Sequence, residues 1–191
     1  MKKLAFFLTI FCGLVSGTVF AQNPTTTGPG PITATATLNV ELRPIQTIVI
    51  GGDNTVNLVY KTKEDYYNGV TANMKDHLIV YSTGGFAVKV GSKNEKLTSK
   101  NNEVKGEIEA NKINLEASAG SGNSLSSYEF NEKVALNTEA KPLFSSTVGG
   151  TDLKFNVAYT GQGGDAYVNK YNNVENPTVY TTTVTYTIEA Q

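Results

Sequence analysis

The sequence predicts an all-β fold, a β-sandwich of seven or more short strands, from three observations. Apolar and polar residues alternate strictly over several segments, and two is the period at which strand side chains change face. Clusters of Gly, Asn, Asp and Ser separate those segments at spacings of roughly 8–12 residues, the rhythm of a sandwich. No segment carries apolar residues at i, i+3 and i+4, so no helix is predicted. Composition agrees: 10 Tyr and 8 Phe, no Trp and a single His suit pleated surfaces better than an enzyme.

Met1 to Ala21 reads as a secretory signal peptide. Lys2 and Lys3 form its basic start, Leu4 to Val15 its apolar run, and Val19-Phe20-Ala21 a small-residue cleavage site before Gln22. The apolar run falls short of the ~20 residues a membrane span needs, so no membrane insertion is expected once the signal is removed. The one cysteine, Cys12, lies inside it, preceded by Phe11 where a lipoprotein signal would place a small residue. Beyond Ala21 there is then no disulfide, thiolate metal site or cysteine nucleophile. The 16 basic residues less Lys2 and Lys3 leave 14 against 17 acidic ones, a net charge of −3 with no basic run. Nucleic-acid partners therefore lack their electrostatic footprint.

Residues 22–31 form a linker, because three prolines and two glycines forbid regular structure there. Residues 32–191 are expected to form one domain, starting with an unbroken alternation. Ile32, Ala34, Ala36, Leu38, Val40 and Leu42 are apolar, while Thr33, Thr35, Thr37, Asn39 and Glu41 between them are polar. This predicts a strand with one dry face, beside a tether that lets it complete its own sheet or a neighbour's. Arg43-Pro44 interrupts the ladder. Ile45 to Ile50 is a short strand ended by Gly51-Gly52-Asp53-Asn54, and Val56, Leu58 and Tyr60 alternate again. Lys61 to Asp65 is polar, and Asn68-Gly69 signals a tight turn.

His77 to Tyr81 and Phe86 to Val90 read as a hairpin through Ser82-Thr83-Gly84-Gly85, with Phe86, Val88 and Val90 inward. Residues 91–102 read as an exposed loop, Val104 to Glu109 and Lys112 to Ala117 as strands near an edge, and 118–127 as a Gly/Ser loop. Leu153, Phe155, Val157 and Tyr159 alternate strictly before the Gly161 to Asp165 loop. The last strand, Tyr180 to Ile188, has Thr at every odd position and carries Tyr180, Val184, Tyr186 and Ile188 on its even face.

No catalytic constellation emerges. His77, the sole candidate base, sits on a predicted strand beside apolar residues and reads as a structural or surface histidine. Glu107, Glu109 and Glu116 lie in lysine-containing, solvated stretches, which argues against a glycosidase pair. Asp53 and Asp165 follow paired glycines but lack the alternating oxygens of a calcium loop, so no metal or other cofactor is expected. Tyr66, Tyr67, Tyr167, Tyr171 and Tyr180 fall in or beside predicted loops. They read first as aromatics that simply favour pleated surfaces, and second as platforms to stack on a sugar or pack on a partner.

Taken in order, these features resemble pilin subunits of the chaperone–usher type, in particular the alpha class. The residues that carry the resemblance are the alternating Ile32-Thr-Ala-Thr-Ala-Thr-Leu-Asn-Val40 behind the signal and the apolar stretch to Ile50. Val56-Asn-Leu-Val-Tyr60, the segments Leu78-Ile-Val-Tyr-Ser82 and Phe86-Ala-Val-Lys-Val90, and the closing Tyr180 to Ile188 strand complete it. The resemblance implies an immunoglobulin-like sandwich lacking its last strand, a periplasmic chaperone and usher as partners in transit, and self-association into a surface fibre. It makes Ile32, Ala34, Ala36, Leu38, Val40 and Leu42 the donor knobs, and Val184, Tyr186 and Ile188 the groove edge. The long polar loops 91–102 and 118–127 depart from the pattern. The competing expectation is a self-contained secreted immunoglobulin-like module whose 32–42 strand pairs at home and whose tyrosine loops bind glycan or protein.

Overall fold

A computed structural model describes residues 32–125 and 127–191, so the signal peptide, Cys12 and the 22–31 linker lie outside the described residues. The chain divides into two units, one ending at Val40 and one spanning Glu41–Gln191. Within the first, residues 32–40 form no strand, where alternation alone predicts one. A strand exists only through a ladder, so a periodic segment without a paired neighbour keeps its pattern and not its assignment.

The second unit is an all-β sandwich. Its strands are β1 (Gln46–Ile50), β2 (Val70–Ser82), β3 (Phe86–Ser92), β4 (Lys96–Thr98), β5 (Glu107–Glu109), β6 (Ile113–Ala119), β7 (Glu129–Phe130), β8 (Val134–Ala135), β9 (Lys141–Ser146), β10 (Gly150–Gly161) and β11 (Val184–Ala190). One sheet runs β1-β2-β10-β6-β8 and the other β11-β3-β9-β7, with β4 and β5 forming a separate ribbon. Every ladder is antiparallel.

Between the sheets the even-numbered residues of β2 and β3 meet the odd-numbered ones of β10. Leu78, Val80, Phe86, Val88, Leu153, Phe155 and Val157 are all buried, with Leu143 and Phe144 added from β9. Phe144 stacks on Phe155 with centroids 4.2 Å apart, and Phe86 meets both edge-on at 6.4 Å. These offset and edge-to-face contacts follow the ring quadrupole.

Several sequence expectations are corrected. β2 and β3 are not a hairpin: they lie in opposite sheets, and Ser82 to Gly85 carries the chain across the sandwich. Both segments must bury an apolar face, which pairing within one sheet and facing across two satisfy equally. Residues 63–68 form a helix, α1 (Lys63–Asn68), held by a capping box between Thr62 and Asp65. It buries no residue, so apolar spacing gave no sign of it. Asn68-Gly69 ends that helix, with Gly69 at φ 83°, and makes no hairpin turn. The 91–102 region contains the end of β3 and all of β4, and β6 lies inside its sheet between β10 and β8.

Phe155→Ala removes the ring at the centre of this aromatic cluster. It is expected to destabilise the fold by about 3–5 kcal/mol, read as a lower urea midpoint at unchanged m-value.

Candidate functional site

In a complete immunoglobulin sandwich one sheet runs A-B-E-D and the other G-F-C. Here β1-β2-β10-β6 supplies the first order, and β11-β3 supplies F beside C. The position of strand G, on the far edge of β11, carries no strand among the described residues. β11 is hydrogen-bonded along its whole length to β3, from Val184 opposite Ser92 to Ala190 opposite Phe86. Its other row of amides and carbonyls enters no ladder among the described residues, and β1 of the opposite sheet lies close to β11 without pairing with it. An unpaired row of this kind is a template for one more strand.

A second feature opens the same side of the sandwich. β1 pairs with β2 only from Gln46↔Ser82 to Ile50↔Leu78, and the Gly51 amide then donates to the His77 carbonyl at 2.9 Å. At that point β2 carries a bulge: three residues, Lys75 to His77, stand between pairs separated on β10 by Asn156 alone. Asp76 there takes φ 49°, a left-handed conformation that Asp tolerates better than most residues. Its amide donates to Asn156 Oδ1 at 2.9 Å and its carboxylate accepts the Ser121 amide at 2.7 Å. The Ser121 hydroxyl, which also donates to that carboxylate at 2.5 Å, and then the Ser121 amide hold the Asp76 carboxyl below the usual carboxylate range. A Cβ on Gly51 would run into the Asp76 carbonyl, and one on Gly120 into its carboxylate. Past the bulge the chain leaves the sheet, and residues 52–60 enter no ladder while Val56 and Leu58 still pack on the core.

The result is an apolar face that the sandwich leaves half covered. Val184, Tyr186 and Ile188, predicted at the groove edge, lie on the inward face of β11, each half-buried and packed against the core. On β3 next door, Phe86, Val88 and Val90 are completely enclosed. Ile48 and Met74 are also half-buried against the core. β11 is the edge of its sheet while β3 lies inside it, which accounts for that difference between neighbouring strands.

The bulge also turns His77 inward, so that it is buried beside Leu78. Its Nε2 shares a 2.9 Å hydrogen bond with the Tyr159 hydroxyl, which bonds in turn to the Tyr186 hydroxyl. The rings meet edge-on, His77 to Tyr159 at 5.7 Å and His77 to Tyr186 at 6.1 Å. Burial pushes the Tyr159 phenol up to about 12. Burial raises Tyr186 as well, with Tyr159 adding to the shift. Burial lowers His77, and the Asp53 carboxylate opposes it. The chain of three is therefore neutral at pH 7 and ties β2 and β10 to the edge strand. The sequence leaves His77 either structural or at the surface, and the structure shows it buried and structural. The available signal is Asp76, a charge at a position where the even-residue alternation calls for an apolar side chain.

The other singled-out residues are dispersed. Lys96 pairs with Glu107 at 2.6 Å and Glu109 at 3.7 Å on the β4–β5 ribbon, and Glu116 is exposed. Asp53 caps a turn by accepting the Thr55 amide at 2.8 Å, and Asp165 occupies a turn at φ 58°. Of the loop tyrosines, Tyr66 and Tyr167 gather around Tyr60, with centroids 5.3 and 5.1 Å from it. Tyr67 and Tyr171 are exposed, and Tyr180 donates to the Lys170 carbonyl at 2.6 Å. The donor-knob residues are all exposed, Ile32 at 96%, Leu38 at 88% and Leu42 at 87%.

No protein-family model matches the chain, and no curated protein matches it.

The buried imidazole gives a pH dependence of definite sign. With the folded His77 below its ordinary value of 6.5, the unfolded chain takes up a proton first as pH falls, so stability is full above about 6.5 and is lost below it. Urea midpoints at pH 7.5 and 5.0 are expected to differ more in the natural chain than in His77→Gln. Equal differences in the two would mean that His77 contributes nothing to acid sensitivity.

Proposed function

We propose that this chain is an exported structural subunit of a surface fibre that mediates adhesion. In this reading the subunits polymerise by strand donation: the 32–42 segment of one copy fills the vacant position beside β11 of the next. The observation that carries the proposal is the absence, among the described residues, of a strand G from an otherwise complete A-B-E-D and F-C order. Two further observations support it. The exposed edge belongs to a strand whose inward residues are half covered, and the alternating segment keeps its apolar residues in solvent. Both exposures are aggregation hazards in isolation, and each is relieved by the other. Main-chain hydrogen bonds would supply affinity, and the alternate side chains would supply specificity. A periplasmic chaperone would hold the same edge before assembly, and an usher would guide the exchange.

Leu38→Asp tests the reading, because Leu38 is 88% exposed and its replacement leaves the sandwich untouched. Burying a lone carboxylate between two sheets costs several kcal/mol, so the polymer fraction in light scattering is expected to drop roughly tenfold or more. Undiminished polymer would rule out donation by this segment.

A second reading, recognition of glycan or protein by a self-contained module, draws on the Tyr60–Tyr66–Tyr167 cluster. A cavity of about 600 Å³ lies beside it, lined by Lys63, Tyr66, Asp165, Val168 and Asn169. It predicts a stable monomer that does not polymerise and keeps its urea midpoint when residues 22–42 are deleted, since 32–42 are exposed and enter no ladder.

A further inference from the structure

We propose that the donated strand seats antiparallel on β11 in one register, with Ala36 opposite Tyr186. This places Leu38 opposite Val184, Ala34 opposite Ile188 and Ile32 opposite Ala190. The inference rests on the strand-donation reading and adds to it the fit that selects one alignment.

Direction comes from the fold: all the ladders in both sheets are antiparallel, and strand G of such a sandwich continues that pattern. Face comes from parity, since a slip of one residue would turn every apolar knob to solvent. That leaves slips of two. Tyr186 decides among them. It is the bulkiest inward residue of β11, its hydroxyl is bonded to Tyr159, and its ring lies against His77. A side chain pinned at both ends cannot withdraw, so the knob facing it must be small.

Only Ala34 and Ala36 among the six knobs meet that demand. Seating Ala34 on Tyr186 would put Ile32 against Ile188 and Ala36 against Val184, crowding one layer and leaving a gap in the next. Seating Ala36 there sets small against large in three successive layers: Ile32 with Ala190, Ala34 with Ile188, Ala36 with Tyr186. Length makes the same choice independently. Ile32 follows Pro31, which has no amide to donate, and in this register the ladder begins at Ala190, where β11 ends.

The outward threonines report the register. Thr35 faces Thr187 in it, at a Cα separation of roughly 4.5–5.5 Å that a disulfide spans, whereas diagonal neighbours are too far apart. In a Cys12→Ser background, Thr35→Cys chains are mixed with Thr187→Cys chains under mild oxidation, beside controls pairing Thr33→Cys or Thr37→Cys with Thr187→Cys. Interchain disulfide is expected to be about tenfold more abundant for the Thr35 pair. A dominant Thr33 or Thr37 pair would overturn the register and leave donation standing. No crosslink from any pair, with the parent chain monomeric, would remove donation and the register together. As a second arm, Ala36→Phe is expected to block polymer while leaving the urea midpoint unchanged, Ala36 being exposed. Polymer formation by Ala36→Phe equal to that of the parent chain would also overturn the register.

Discussion

Most of this structure follows from the obligation of backbone amides and carbonyls to find partners. The sandwich meets that obligation internally across β1-β2-β10-β6-β8 and β11-β3-β9-β7, then stops at β11 with one row of groups facing out. Edges are ordinary in β-proteins, and most are blunted by short strands, charges or bulges. β11 is seven residues long, its inward face is Val184, Tyr186 and Ile188, and its outward face is largely threonine. It carries few of the features that discourage another strand.

The bulge at Asp76–His77 ends the β1–β2 pairing, which stops at Ile50↔Leu78 with only the Gly51 amide bonded beyond it, to the His77 carbonyl. A regular β2 would let that ladder run on. Instead Asp76 adopts φ 49° and is clamped by Asn156 and Ser121, while Gly51 and Gly120 leave room for it. Residues 52–60 peel away from the sheet. The same distortion inserts His77 between the sheets, where its bond to Tyr159 and the onward bond to Tyr186 brace the edge strand from behind. One local irregularity thus both ends the β1–β2 ladder and places the histidine that links β2 and β10 to β11. Under the proposed function, rigidity matters as much as vacancy, because a preformed edge loses less entropy when a strand docks.

How much was legible beforehand varies with the kind of signal. Two strictly alternating segments are buried strands as the pattern predicts, since Phe86, Val88 and Val90 on β3, and Leu153, Phe155, Val157 and Tyr159 on β10, are all enclosed. The longest alternation, 32–42, forms no strand because no neighbour pairs with it. The helix α1 was not legible, because it is stabilised by the Thr62–Asp65 capping box and buries nothing, so periodicity had nothing to report. The Asn68-Gly69 pair misled for a related reason: a left-handed glycine ends a helix as readily as it turns a hairpin. Chain proximity predicts β2 and β3 as partners, yet Ser82 to Gly85 crosses between sheets.

The sequence by itself determined the all-β class, which strand faces are dry, the absence of cysteine chemistry beyond Cys12, and the apolar character of 32–42 and of the β11 face. Each of these is a local property, set by side-chain type at a fixed period. Which strands pair, that β11 is left at an edge, that Asp76 interrupts β2, and that a lone histidine joins two tyrosines were decided only by tertiary structure. Pairing and vacancy depend on contacts between residues as distant as His77 and Tyr186. Period-two alternation looks the same whether its strand sits in the middle of a sheet or beside an empty place.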